Sequence, residues 1–163
     1  MTMDQDTEKG RVAARLAAQG IVLPPPGKPA GSYVPFTVAG GLVFVAGQVP
    51  VEDGRIAHRG KLGGGLSVAE GQAAARLCAL NLIAQLRAAC GGDLDRVRAC
   101  LKVTGFVNCT ADFTEQPAVI NGASDLIVEV LGDAGRHARV AVGAPSLPFD
   151  AAVEVDGIFA IAP

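Results

Sequence analysis

Arg139 stands out because of its surroundings. Ala138 precedes it and Val140-Ala141-Val142 follow, a segment otherwise suited to a buried strand. A guanidinium there needs a carboxylate, from the protein or from a ligand, because an unpaired buried cation costs several kcal/mol. Glu154, in the next strand-like segment, is the first candidate. A hairpin centred on Ser146-Leu147 would bring residue 139 opposite residue 154, within about two positions. Two readings stay open on the pattern alone, an internal ion pair or a site that binds a small carboxylate. Other chemistry lacks its residues. Gly63-Gly64-Gly65 precedes a helical pattern but has neither dinucleotide-binding spacing nor the Lys-Ser/Thr of a phosphate loop. No G-x-S-x-G or H-E-x-x-H occurs, so a serine or zinc hydrolase is unsupported. Cys78, Cys90, Cys100 and Cys109 lie 12, 10 and 9 residues apart, which fits no zinc spacing, and they read as small core residues in a reducing compartment. His58 and His137, each beside an Arg and without a carboxylate at ligand spacing, read as surface or rim residues. Neither a metal nor a cofactor is expected.

The elements that must position Arg139 and Glu154 follow from periodicity. Residues 7–19 place Val12, Leu16 and several Ala on one helical face, and Gly20 ends that helix. A Pro-rich loop leads to a hairpin, residues 33–38 and 42–45 around Ala39-Gly40-Gly41, and Arg55-Ile56-Ala57 is a third short strand. Ser67-Val68-Ala69-Glu70 is a capping box opening a second helix that Gly91-Gly92 stops. Residues 99–108 alternate as a strand with Leu101, Val103, Gly105 and Val107 on one side. A third helix should run from a Thr114 cap, with Pro117 in its first turn, to about Leu131. Residues 138–143 and 151–161 are the last strands. This order predicts an α+β architecture with helices on one face of the sheet.

Composition bounds the function. The chain has 163 residues, half of them hydrophobic, with 14 Lys plus Arg against 16 Asp plus Glu. That is one domain, with residues 1–30 forming a helix and Pro-rich extension and residues 31–163 the core. The apolar fraction excludes disorder, and the longest apolar stretch is too short and too polar for a membrane span. Asp4, Asp6 and Glu8 stand where a secretory signal would be basic, which points to the cytoplasm. With no Trp, one Tyr and a net charge of -2, nucleic acid is a poor partner.

These residues also carry a resemblance. Gly31-Ser32-Tyr33, Val45-Ala46-Gly47-Gln48-Val49-Pro50, Ile120-Asn121, Ala138-Arg139, and Leu147-Pro148 followed by Val153-Glu154-Val155 resemble the RidA family, also called YjgF or endoribonuclease L-PSP. That family has G-P-Y, S-G-Q-I-P, V-N, A-R-S, and L-P followed by V-E-I-E in the same order. Residues 70–78 resemble its longer branch. The resemblance implies a chorismate-mutase-like fold, a mixed six-stranded sheet with two main helices on one face plus an N-terminal helix. It also implies a homotrimeric barrel with clefts between neighbouring chains.

The activity so implied is cofactor-independent hydrolytic deamination of reactive enamines and imines, 2-aminoacrylate-like 2-imino acids, to 2-keto acids and ammonia. Arg139 would grip the substrate carboxylate, and Glu154 would position the attacking water and carry its proton. Tyr33 would close the cleft from the adjacent subunit and Asn121 would hydrogen-bond near the substrate. Ala46, Gly47 and Ala141 would line the cleft, Ala141 mainly through its backbone. Three positions depart from the family: Ala46 and Val140 replace Ser, and Ala141 replaces a frequent Cys. The lost hydroxyls favour, as the alternative, a trimer that binds small carboxylates without turning them over. RNA cleavage fits an acidic chain with one Arg and no His partner poorly.

Overall fold

In a computed structural model of the chain, residues 10–163 are described. The expected helix start at Thr7 lies outside them. Helix α1 (Arg11–Ala18) begins where the Asp95 carboxylate accepts from the backbone N–H groups of Gly10, Arg11 (3.0 Å) and Val12 (2.9 Å). A distant acid thus satisfies the donors that a helix start leaves open. Gly20, at a φ of 63°, follows its end as expected.

Strands β1 (Phe36–Ala39) and β2 (Leu42–Gln48) form the first hairpin. Tyr33 precedes β1 in a bend, because Pro35 cannot donate to a ladder. Strands β3 (Val51–Glu52) and β4 (Arg55–Ile56) are a separate ribbon, turned at Asp53 and Gly54, whose φ values of 50° and 76° suit a two-residue hairpin. The main sheet therefore has five strands rather than six. Helix α2 (Val68–Ala89) opens on the predicted box: Glu70 N–H donates to Ser67 Oγ (3.2 Å) and Ser67 N–H to Glu70 Oε2 (2.8 Å). Strand β5 (Val97–Asn108), helix α3 (Gln116–Leu131), β6 (Ala138–Ala144) and β7 (Val153–Ile161) complete the chain. The N-cap of α3 is Glu115 and not Thr114, and no side chain caps it. Pro117 in the first turn has no N–H to leave unpaired.

The sheet order is β1-β2-β7-β5-β6, antiparallel except for β5 against β6. Helix α3 is the crossover that a parallel pair requires. The expected β6–β7 hairpin is therefore absent, since β5 lies between the two strands. Residues 145–152 carry the chain over the end of β5 instead of turning it back beside β6. Helices α2 and α3 cover one face, burying Val43, Val103, Val107, Val153, Val155 and Phe159. Leu101 does not join them. Cys100 pairs with Phe159 and Lys102 with Ile158, so Leu101 is the extra residue of a bulge and turns outward, while Cys100 takes the core position. All four cysteines are free and buried, as the spacing predicts.

Candidate active site

Two clusters hold the predicted residues. The first surrounds Glu154. Val45 pairs with Gly157 and Gln48 with Val155, so β2 carries one extra residue between them and bulges at Ala46-Gly47. The bulge brings the Gly47 backbone against the Glu154 carboxyl. A Cβ on Gly47 would overlap Glu154 Oε1, which explains the need for glycine there. Tyr33, Ala46, Gly47, Phe149 and Glu154 line one surface groove. Tyr33 is half exposed, and its hydroxyl accepts from the Ala30 N–H (3.3 Å). Burial, and then the negative charge of Asp156 two residues along the same strand face, push the Glu154 carboxyl above the ordinary glutamate value. Burial and the nearby Glu154 charge also raise the Cys78 thiol well above its usual range, which keeps it inert.

The loop that ends at β7 is pinned by residues that the sequence reading passed over. Asn108, fully buried, accepts from Lys61 Nζ at Oδ1 (2.8 Å) and donates from Nδ2 to Asp150 Oδ1 (3.2 Å). Lys61 Nζ also donates to the Pro145 carbonyl. Both sides of the loop are thereby tied to the end of β5. Phe149 and Asp150, at φ values of 61° and 56°, occupy a left-handed conformation rarely adopted by a bulky side chain.

The second cluster surrounds Arg139. Its Nη1 donates to Asn121 Oδ1 (2.8 Å) and Ser124 Oγ (3.1 Å), and its Nη2 donates to the Pro117 carbonyl (3.2 Å). Residues 117, 121 and 124 have i, i+4, i+7 spacing, so one face of α3 supplies all three acceptors. A guanidinium has five N–H donors, and three are used here. The Nε–H and one Nη2–H have no partner among the described residues. Ala141 lies two residues further along β6, paired with Gly105.

Within one chain the clusters stay apart. Arg139 pairs with Val103 on the helix-covered face, whereas Glu154 pairs with Phe106 on the open face. No hydrogen bond or ion pair joins Arg139 to any carboxylate among the described residues, so the internal Arg139–Glu154 pair is excluded. His137 is also no simple rim residue: its Nε2 lies 2.9 Å from Ser124 Oγ and its Nδ1 2.6 Å from the Gly135 carbonyl. A Ser one helical turn beyond Asn121 was the available sign of this network. Among the described residues no group of three or more His, Cys, Asp or Glu could hold a metal ion, and no helix is long and apolar enough to cross a membrane.

Comparison with known proteins supplies the family. Residues 13–160 match the family described as "YjgF/chorismate_mutase-like, putative endoribonuclease". The chain belongs to this family. Its similarity to protein TCP17 of Trypanosoma cruzi is 53% identity over 91% of this chain and 93% of that protein. A solved structure from Agrobacterium tumefaciens is 48% identical, covers 96% of each chain and superposes with a TM-score of 0.89. The YjgF gene product of Escherichia coli is 25% identical, covering 87% of this chain and 96% of its own, with a TM-score of 0.61. The YjgF-family motifs fall on the two clusters. Ala46-Gly47-Gln48 is the β2 bulge, Asn121 and Arg139 form the α3–β6 network, and Leu147-Pro148 opens the pinned loop before Glu154.

Proposed function

We propose that this YjgF-family chain hydrolyses reactive 2-imino acids and their enamine tautomers to 2-keto acids and ammonia. The observation that carries the reading is the state of Arg139. It is half-buried and held by three hydrogen bonds, it has no carboxylate partner among the described residues, and it keeps its Nε–H and one Nη2–H unused. In the proposed cleft these two donors hold a carboxylate in charge-assisted hydrogen bonds. The carboxyl with the raised pKa, Glu154, lies on the opposite face, so the proposed cleft combines Arg139 of one chain with Glu154 and Tyr33 of its neighbour in a homotrimer.

In this cleft the carboxylate of the imine docks on Arg139. Glu154 orients a water, takes one of its protons as oxygen adds to the C=N carbon, and passes that proton to the imine nitrogen to give a carbinolamine. In the collapse Glu154 takes the carbinolamine hydroxyl proton as the C=O bond forms and the C–N bond breaks, and delivers it to the departing nitrogen, which leaves as ammonia. The balance is one imine and one water in, one keto acid and one ammonia out. A carboxyl with a raised pKa suits this exchange, since it is a stronger base than an ordinary carboxylate and takes up the water proton more readily. The reaction calls for no metal or cofactor, and the proposed setting is the cytoplasm.

The test supplies several 2-imino acids from an amino-acid oxidase or a serine/threonine dehydratase and follows ammonia or keto acid release. Wild type should accelerate at least one of them, with Arg139→Ala at the uncatalysed rate. Equal rates for the two proteins across all the imines would remove the proposal. Ala46 and Val140, which lack the hydroxyls of their family counterparts, favour one second reading, a protein that holds small carboxylates without turnover. Glu154→Gln separates the two. It should abolish hydrolysis in the first case, whereas in the second it leaves pyruvate or 2-oxobutanoate binding intact and no activity exists to lose.

A further inference from the structure

For a neutral His137 imidazole the atoms present set one sense for the hydrogen bonds around Arg139. The Gly135 carbonyl can only accept, so His137 Nδ1 carries a proton toward it across 2.6 Å. In the neutral imidazole Nε2 is then an acceptor, and the Ser124 hydroxyl, 2.9 Å away, donates to it. With its proton so directed, Ser124 Oγ presents lone pairs to Arg139 Nη1, 3.1 Å away. The series runs in one sense, from Arg139 to Ser124 to His137 to the end of the turn after α3. Without His137 the Ser124 hydroxyl would rotate freely, and in some of its positions its own proton would face the guanidinium.

We propose that Ser124 and His137 are positioning residues for Arg139, which fix the guanidinium so that its unused Nε–H and Nη2–H are held ready for a carboxylate. The inference rests on reading Arg139 as the substrate grip, and it adds two residues to that site. Its physical basis is preorganisation. An arginine side chain has many rotamers, and holding one before the ligand arrives removes part of the ordering cost of binding. Asn121 and the Pro117 carbonyl hold the guanidinium from the exposed side of α3, and Ser124 holds it from the inner side. Both sides are needed to fix its plane. A grip formed equally in the ground and transition states affects KM rather than kcat.

Three readouts test this. The Kd for 2-oxobutanoate, measured by calorimetry, should rise about tenfold in Ser124→Ala. KM for an imine should rise in parallel, with kcat within about twofold. Ser124→Thr, which retains the hydroxyl, should restore both values. Ser124→Ala/His137→Ala should be no worse than Ser124→Ala alone, because the two residues act in one series. NMR relaxation of the Arg139 Nε–H should report a rigid group in wild type and a mobile one in Ser124→Ala, with or without ligand. Unchanged affinity in a Ser124→Ala protein that melts like wild type, or an Arg139 Nε–H equally rigid in both, would overturn the inference. A mobile Nε–H in Ser124→Ala together with no carboxylate binding by wild type would instead defeat the reading of Arg139 as the substrate grip, and the role in carboxylate binding with it.

Discussion

A carboxyl resting on a glycine backbone, with a second carboxyl two residues along the same strand face, does not titrate like a free glutamate. Burial is the larger cause of the raised Glu154 pKa and the Asp156 charge the second. The folded chain therefore holds the Glu154 proton more tightly than the unfolded chain does. Protonation favours the fold as pH falls through the interval between the raised value and the ordinary one, and that advantage is absent at higher pH. Asp156→Asn isolates the second cause. Asn keeps an acceptor for Thr104, which hydrogen-bonds Asp156, and removes the charge. The acid limb of kcat/KM against pH, which reports ionisation of the proposed base, should move to lower pH in this variant. The melting temperature at neutral pH should rise, because two half-buried like charges no longer meet. An acid limb that stays in place would show that Asp156 does not tune Glu154.

Among the elements, tight approaches explain which glycines are fixed. A Cβ on Gly105 of β5 would lie 2.5 Å from Ile120 Cδ1 and 2.6 Å from its Cγ1, inside the contact between strand and α3. Gly105→Ala should cost about 1–3 kcal/mol by overpacking. In calorimetry, Gly105→Ala/Ile120→Ala should be less destabilised than the sum of the two single variants, since the second change opens the space that the first one fills. Additive losses would mean that the strand moves instead. What was legible at this scale was local. Ser67 and Glu70 form a reciprocal capping pair within four residues, so the start of α2 could be read directly. Strand neighbours are not local. Alternation marks β6 and β7 as strands, but nothing in residues 145–152 states that β5 will lie between them, so the direct pairing of residues 139 and 154 failed. The bulge at Leu101 was hidden for the same reason, because it exists only relative to β7. Family spacing names the candidate site residues, whereas the contacts of Lys61, Asn108, Ser124 and His137 run across the fold and spacing does not encode them.

At the scale of the whole molecule, the sheet face opposite α2 and α3 exposes Phe44, Val140 and Val142 at 41%, 39% and 41%. An apolar surface on a sheet with helices on its other side is the kind that associates. The proposed homotrimer gives it a partner and also answers the separation of Arg139 from Glu154, which no single chain can bring together without refolding the sheet. Sedimentation should then show one species near three times 16.5 kDa. A sharper test uses two inactive proteins, Arg139→Ala and Glu154→Gln, denatured together in equal amounts and refolded. If each cleft takes Arg139 from one chain and Glu154 from the next, random assembly leaves about a quarter of the clefts intact, and about a quarter of wild-type activity should return. If the two residues act within one chain, every chain carries a defect and no activity returns. Mixing the folded trimers without denaturation should also give none until subunits exchange, so recovery in the refolded sample alone would assign the gain to shared clefts. Refolded trimers that remain inactive would refute the shared cleft.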